Sequence, residues 1–491
     1  FLTDLAEMTL DLQAETEGKG MRVASVERDG RPLRFRHAGS RLVVTLEPPA
    51  AAGQETTLLV RYAGVPATGF HIGSNKFGER VFFSDSWPNK ARQWVPTVDH
   101  PYDKATGEIV VTAPAVYQVV ANGLLVDEED LAGGRRRTRW KQSVPISTWL
   151  YALGAARFAV RHAGEAATVP LQSWVFPQDR AVVMPAFEAP AKAAAEFFAE
   201  RIAPYPFEKL ANVQAIGFKG GIEHASAIFY DEETVASRPI VGLVAHEVAH
   251  QWWGNSVTES DWNDVWLSEG FATYFALLFS EHAEGRDAFV AGLRKSREQV
   301  FELERKLPDT PVIHRDLQDM EKVLNGLVYQ KGGWVLHMLR RQVGTEAFWT
   351  GIREHYRRHA GAHASTQELR QTMEAASGQD LGWFFDQWLR RGGVPRLEGS
   401  WRYAASRKEL EVVLRQTQAG EVYRLSVELG LAQRGGGAGE DRGEGLPPGA
   451  VRVDLRGREE TFRLSVEGAP QDVVVDPGTW LLAEGTPLRR R

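Results

Sequence analysis

The feature that most constrains this chain is His246-Glu247-Val248-Ala249-His250, with eighteen residues between it and Glu269 in Trp-Leu-Ser-Glu-Gly. Side chains four apart on a helix stack on one face, so the two imidazoles can grip one ion. A carboxylate from a second helix adds a third ligand and leaves the fourth tetrahedral position for water. That is the layout of an open, catalytic zinc site rather than a closed structural one. Glu247, about a hundred degrees round the helix, borders the ion without binding it and can take a proton from that water. The pattern therefore demands two buried helices. The apolar run Ile240–Ala245 supplies the first, with Ser237 expected as cap, Pro239 in the first turn and Gly254 as stop. Trp266–Phe279 supplies the second. Glu269 is a lone acid near its start, and such a group is costly to bury unless it is paired or binds a metal.

Three further landmarks accompany the motif. Gly220-Gly221-Ile222-Glu223-His224 precedes it. Tyr329-Gln330-Lys331-Gly332 follows it. Ala91-Arg92-Gln93-Trp94-Val95-Pro96, Asp99, Pro101 and Val119-Val120-Ala121-Asn122-Gly123 lie in the N-terminal part. The chemistry of two landmarks can be argued directly. Enzymes that release terminal residues must count from the free amine, and a carboxylate held one residue from the metal does so. Glu223 fits that role. Gly220 and Gly221 before it would let a substrate backbone approach and pair along a strand edge. Amide hydrolysis builds negative charge on the carbonyl oxygen, and a donor opposite the metal stabilises it. A tyrosine suits that task, although a buried aromatic is more often simple packing.

In these four landmarks, spanning about residues 80 to 395, the sequence resembles the M1 (gluzincin) zinc aminopeptidases. The resemblance implies one Zn²⁺ per chain on His246, His250 and Glu269, with Glu247 as base and Tyr329 as oxyanion donor. It implies amine recognition by Glu223 and peptides with a free N-terminus as substrates. It also implies a thermolysin-like, mainly helical catalytic domain. The chain departs from the family pattern in two places. His224 stands where asparagine is usual; either a neutral imidazole hydrogen-bonds substrate there and its protonation lowers activity below about pH 6, or it is a spectator. Trp87 stands where the family often has Gln or Glu as a second amine anchor. It cannot accept a hydrogen bond and is expected either to line the pocket for the first side chain or to pack between domains. Asp85 is a candidate replacement anchor. Asp261, Asp264 and Glu281 are candidate partners for the ligand histidines.

The rest of the chain fits a multidomain α+β protein. Residues 1–158 alternate in short runs such as Arg41–Leu46 and Thr57–Tyr62, an all-β pattern expected to form an N-terminal β-sheet domain. Residues 159–394 read as helical, from the Ala-rich Pro185–Arg201 to Gly382–Leu389. Residues 395–491 return to β, as in Leu410–Leu414 and Tyr423–Val427, and are expected to form a C-terminal β-sandwich. Arg434–Gly449 reads as a loop. Arg135-Arg136-Arg137 after Gly133-Gly134 reads as a solvated hairpin strand. The resemblance then implies a short form without the long helical domain of larger members.

At 491 residues the chain is too long for one core. A net charge of −6 argues against nucleic-acid or membrane-surface partners. No apolar run is long enough to span a membrane, which suits a soluble enzyme, cytoplasmic or exported. The absence of cysteine removes thiolate ligands and nucleophiles. Oligomeric state leaves no sequence signal. Three alternatives compete with an aminopeptidase: a thermolysin-like zinc endopeptidase with the same ligands, an added epoxide-hydrolase activity, and a catalytically silent scaffold. The Gly-Gly-Ile-Glu segment argues against the first, no residue points to the second, and retention of Glu247 and every ligand argues against the third.

Overall fold

The period-two runs of the N-terminal part form short antiparallel sheets. In this computed structural model residues 4–237, 239–432 and 449–491 are described. Leu42, Val44 and Leu46 alternate inward along the strand Arg41–Ala50 and join Leu12, Met21 and Val26 in one core. A separate four-stranded sheet brings Phe70–Ser74, Arg80–Ser84, Leu153–Ala156 and Gln118–Ala121 together. The Gly133-Gly134 turn, both glycines at positive φ, joins Leu124–Leu131 to Arg135–Ser147. Arg136 and Arg137 pair there with Asp130 and Glu129, as a solvated hairpin requires.

The chain clusters into two compact units, Phe1–Trp262 with Tyr356–Ser365, and Asn263–His355 with Thr366–Arg491. Beyond its N-terminal sheets, the first unit holds a five-stranded sheet. Its order is Ala159–Ala166, Val169–Val175, Leu210–Ala215, Ala227–Asp231 and Gly221–Ile222. Val169–Val175, Leu210–Ala215 and Ala227–Asp231 run parallel, and Gly221–Ile222 closes one edge antiparallel, pairing Gly221 with Tyr230 and Ile222 with Phe229. Helix α1 (Arg180–Arg201) makes the crossover between the first two parallel strands. It begins five residues ahead of the expected Pro185, because Pro185 and Pro190 are accommodated inside it. Helix α2 (Glu232–Ser237) leads to α3 (Val241–His250), which packs on α1 and on the Gly221–Ile222 edge. Phe83, Trp174, Phe176, Val213 and Phe229 fill the core beside this sheet.

The second unit is helical and then β. Its helices are α4 (Trp266–Glu284), α5 (Arg286–Lys306), α6 (Met320–Val323), α7 (Gly326–Val343), most of α8 (Thr345–His359), α9 (Thr366–Ser377) and α10 (Gly382–Leu389). Helices α4 and α7 touch backbone to backbone at Gly270 and Gly332: a Cβ on Gly270 would lie 2.9 Å from the Gly332 carbonyl carbon. The C-terminal strands form two sheets, one built on Arg396–Ala404, Glu409–Gln416 and Glu459–Ser465, the other on Ala450–Leu455, Leu425–Ala432 and Asp472–Val475. The expected loop at Arg434–Gly449 lies outside the described residues except for Gly449. The N-terminal β-rich region is therefore present, and residues 159–394 hold the expected helices together with a five-stranded sheet that the helical reading missed. No helix among the described residues is long and apolar enough to cross a membrane.

Candidate metal centre

Helix α3 starts later than its sequence signals suggest. Ser237 closes α2 instead of capping α3, and Ile240 occupies the N-cap position with no side-chain cap bond. The end behaves as expected. Trp253 N–H still bonds the Ala249 carbonyl, and Gly254 then turns the chain at φ +104°. His250 is buried and His246 half-buried, with their Nε2 atoms 3.1 Å apart. Two nitrogens bound to one tetrahedral zinc at about 2.05 Å sit about 3.3 Å apart. His250 Nδ1 lies 3.0 Å from the Trp253 carbonyl, which only accepts, so Nδ1 carries the proton and Nε2 offers its lone pair. The two Nε2 atoms could therefore hold one metal ion, and their nitrogen chemistry fits zinc. This carbonyl thus serves His250 as the orienting acceptor for which three acids were considered. Asp261 lies 3.5 Å from His100, Asp264 accepts from the Thr366 hydroxyl at 2.6 Å, and Glu281 pairs with Arg286 at 2.8 Å.

The Gly221–Ile222 edge carries Glu223 to the same helix. Glu223, Glu247 and His250 offer ligand-type atoms within 4.8 Å of one another. Gly221 is essential to that approach. A Cβ there would stand 2.5 Å from the Glu247 carboxyl carbon and from Oε1. Gly220 serves a different purpose: its φ of +85° favours glycine, and nothing crowds it. The Glu223 carbonyl accepts from Gln251 Nε2 at 3.1 Å and Asn255 Nδ2 at 2.6 Å.

Among the N-terminal landmarks, Asn122 braces this loop. Asn122 Nδ2 donates to the carbonyls of Ala225 (2.7 Å) and Leu150 (2.9 Å), and its Oδ1 accepts from Ala152 N–H at 2.7 Å. Lys209, missed in the sequence and fully buried, donates to the Ala121 carbonyl at 2.8 Å. Burial pulls its ammonium down to about 7, against the pull of Glu208. Arg92 clasps Asp99, whose other oxygen accepts from the Thr148 hydroxyl at 2.9 Å.

His224 lacks the exposure that a substrate contact would require. It is fully enclosed, edge-on to Phe229, with Nε2 3.5 Å from the Ser84 carbonyl, so it presents no surface to substrate. Burial pushes its imidazole down to about 4, despite the opposing pull of Asp85, so it does not change charge near pH 6. Asp85 is already taken. Burial would raise its pKa, but hydrogen bonds from His71 and Lys90 outweigh that and hold it below the usual range. Lys90 Nζ sits 2.6 Å away. Trp87 is half-buried and meets Trp262 edge-on, ring centroids 6.3 Å apart.

In the second unit, Glu269 is buried in the first turn of α4. Tyr329 is half-buried in the first turn of α7, whose Asn325 cap accepts from Leu327 N–H at 2.8 Å. The Gly270–Gly332 contact brings α4 and α7 together next to these two positions. Lys331 of the same motif is fully buried, with Nζ 2.8 Å from both Glu304 Oε1 and the Gly393 carbonyl. Burial lowers its pKa, against the pull of Glu304. The lysine is a structural anchor between α7, α5 and the Gly392-Gly393 turn.

Comparison with known proteins follows the same lines. A family model described as the Peptidase family M1 domain matches residues 186–388, and the Peptidase M1 N-terminal domain matches residues 14–150. Glutamyl aminopeptidase of Homo sapiens is 30% identical over 336 residues, covering 65% of this chain and 35% of its own length. The chain thus spans about a third of the curated relatives it matches. The crystal structure of an M1 zinc metallopeptidase from Deinococcus radiodurans superposes with a TM-score of 0.67 at 26% identity, over 79% of this chain and 86% of that one. Legionella pneumophila aminopeptidase A, crystallised with aspartic acid, gives 0.80 at 17% identity over 98% of this chain and 55% of its own, a likeness of fold alone.

Proposed function

Because the chain belongs to peptidase family M1, we propose that it is a zinc-dependent aminopeptidase that removes the first residue of peptides with a free N-terminus. His246, His250 and Glu269 would hold the ion, the first two as the nitrogen geometry of α3 suggests, the third from its spacing. Bound zinc supplies a Lewis acid that acidifies water and polarises the scissile carbonyl. Glu247 takes the proton of the attacking water and returns it to the leaving amine. Tyr329 donates to the oxygen on which charge develops. Gly220 and Gly221 admit the substrate backbone along the strand edge, and Trp87 borders the first side chain. Peptides, and not nucleic acid or a membrane, are the partners of this reading.

The observation that carries it is Glu223, fixed by its main chain to the turn that ends the histidine helix. A carboxylate in that place would pair with an α-ammonium and so favour a substrate that begins there. We also take the three-part division, residues 1–158, 159–394 and 395–491, as the functional one. The two C-terminal sheets would then face each other as a sandwich. The test is a leucyl peptide and its N-acetylated twin, each with and without a chelator. Chelator-sensitive cleavage of the free peptide alone is expected. Cleavage of both would mean an endopeptidase and would overturn the role of Glu223.

A further inference from the structure

We infer that Gln251 and Asn255 are positioning residues that set the reach of Glu223, an inference that rests on the reading of this site as an exopeptidase centre. Both are buried and belong to the turn that continues α3 beyond His250. A carbonyl oxygen has two lone pairs. Those of Glu223 are filled by Gln251 Nε2 and Asn255 Nδ2, at 3.1 Å and 2.6 Å. Gln251 also works from its other end: Oε1 accepts from Ser226 N–H at 2.9 Å and from the Tyr205 hydroxyl at 3.2 Å. One amide therefore straps residues 223 and 226, in a loop where Ser226 holds φ at +62°. The far side is held too. Ser226 Oγ accepts from Gly123 N–H at 2.8 Å and from Lys209 Nζ at 3.3 Å, and Asn122 holds the Ala225 carbonyl at 2.7 Å.

The segment Glu223–Ser226 is clamped between the continuation of α3 and the Asn122 strand end. The distance from the Glu223 carboxylate to the histidine pair is then set by the backbone, not by the side-chain rotamer alone. Release of single residues depends on that distance, and a shift near 1 Å misplaces the amine. An amide that only satisfied buried polar groups would alter stability. It would not alter the balance between amine-dependent and amine-independent binding.

The test uses two metal-binding inhibitors that differ only in the amine, L-leucine hydroxamate and 4-methylpentanohydroxamate, on the full, zinc-loaded chain. In Asn255→Ala and Gln251→Met, we expect the first to weaken about tenfold and the second to hold, the scale of one lost charge-assisted contact. The KM for L-leucine p-nitroanilide should rise in step, with kcat less affected. Equal weakening of both hydroxamates, or of neither, would overturn the inference. Should Asn255→Ala not fold, Gln251→Met carries the same comparison with its side-chain volume nearly kept. If the two hydroxamates bind the unaltered enzyme equally, Glu223 reads no amine, and the functional reading itself fails first.

Discussion

Substituting Gly221 by alanine tests the site at its tightest point. The new Cβ would meet the Glu247 carboxyl carbon and Oε1 at 2.5 Å and its Cγ at 2.6 Å. Ordinary carbon contacts begin near 3.5 Å, so something must give by roughly 1 Å. The backbone at Gly221 is not in the left-handed region, and alanine brings no conformational penalty of that kind. The atoms that it meets are the end of a side chain, and that end can swing. The fold should therefore lose no more than about 1 kcal/mol. Catalysis should lose far more. A proton carrier displaced by 1 Å costs on the order of a hundredfold in rate. We expect kcat on a leucyl peptide to fall by about two orders of magnitude, with the Tm and the zinc content nearly unchanged. Steady-state kinetics, thermal unfolding and metal analysis on one preparation decide the matter. A kcat within about twofold of the parent would refute the claim that Gly221 makes room for Glu247. A parallel loss of zinc would assign the effect to the histidines instead.

Tyr329→Phe should lower kcat by roughly 10²- to 10³-fold with little change in KM; unchanged turnover in steady-state assays would remove it from the mechanism. Lys331→Met leaves the buried Glu304 carboxylate without its ammonium and should cost about 3–5 kcal/mol, read as a lower urea midpoint. His224 takes its proton near 6.5 when unfolded and near 4 when folded. Its contribution is thus fully present above about pH 6.5 and is lost as pH falls towards 4, about 3 kcal/mol over that window. His224→Asn should flatten the fall in urea midpoint between pH 7 and pH 4.5 and leave the acid limb of activity where it was.

The histidine helix was legible because its signal is local. Spacing by four residues defines a face, and the apolar run from Ile240 and the glycine at 254 frame it. Its start was misread because Ser237-Arg238-Pro239 suits the end of one helix as well as the beginning of the next. Only the paths of α2 and α3 decide between them. The pH role for His224 failed for a related reason. It assumed an accessible imidazole, and burial is decided by Phe229 and the Ser84 carbonyl, the latter 140 residues away in the chain.

The rest of the site was hidden by the chemistry of its acceptors. Asn122, Gln251, Asn255 and Lys331 are visible in the sequence as donors. What they hold are the main-chain carbonyls of Ala225, Glu223 and Gly393. His250 is oriented in the same way by the carbonyl of Trp253. Every residue type offers a carbonyl, so these acceptors leave no mark on a sequence. The same holds for Gly221, which announces a turn but not the carboxylate that it must clear. A landmark without assignable chemistry, such as Val119–Gly123, is therefore best read as a donor in search of a backbone. The residues that touch substrate and metal can be found by their side chains, whereas those that hold them in place are found only by the main chain they bind.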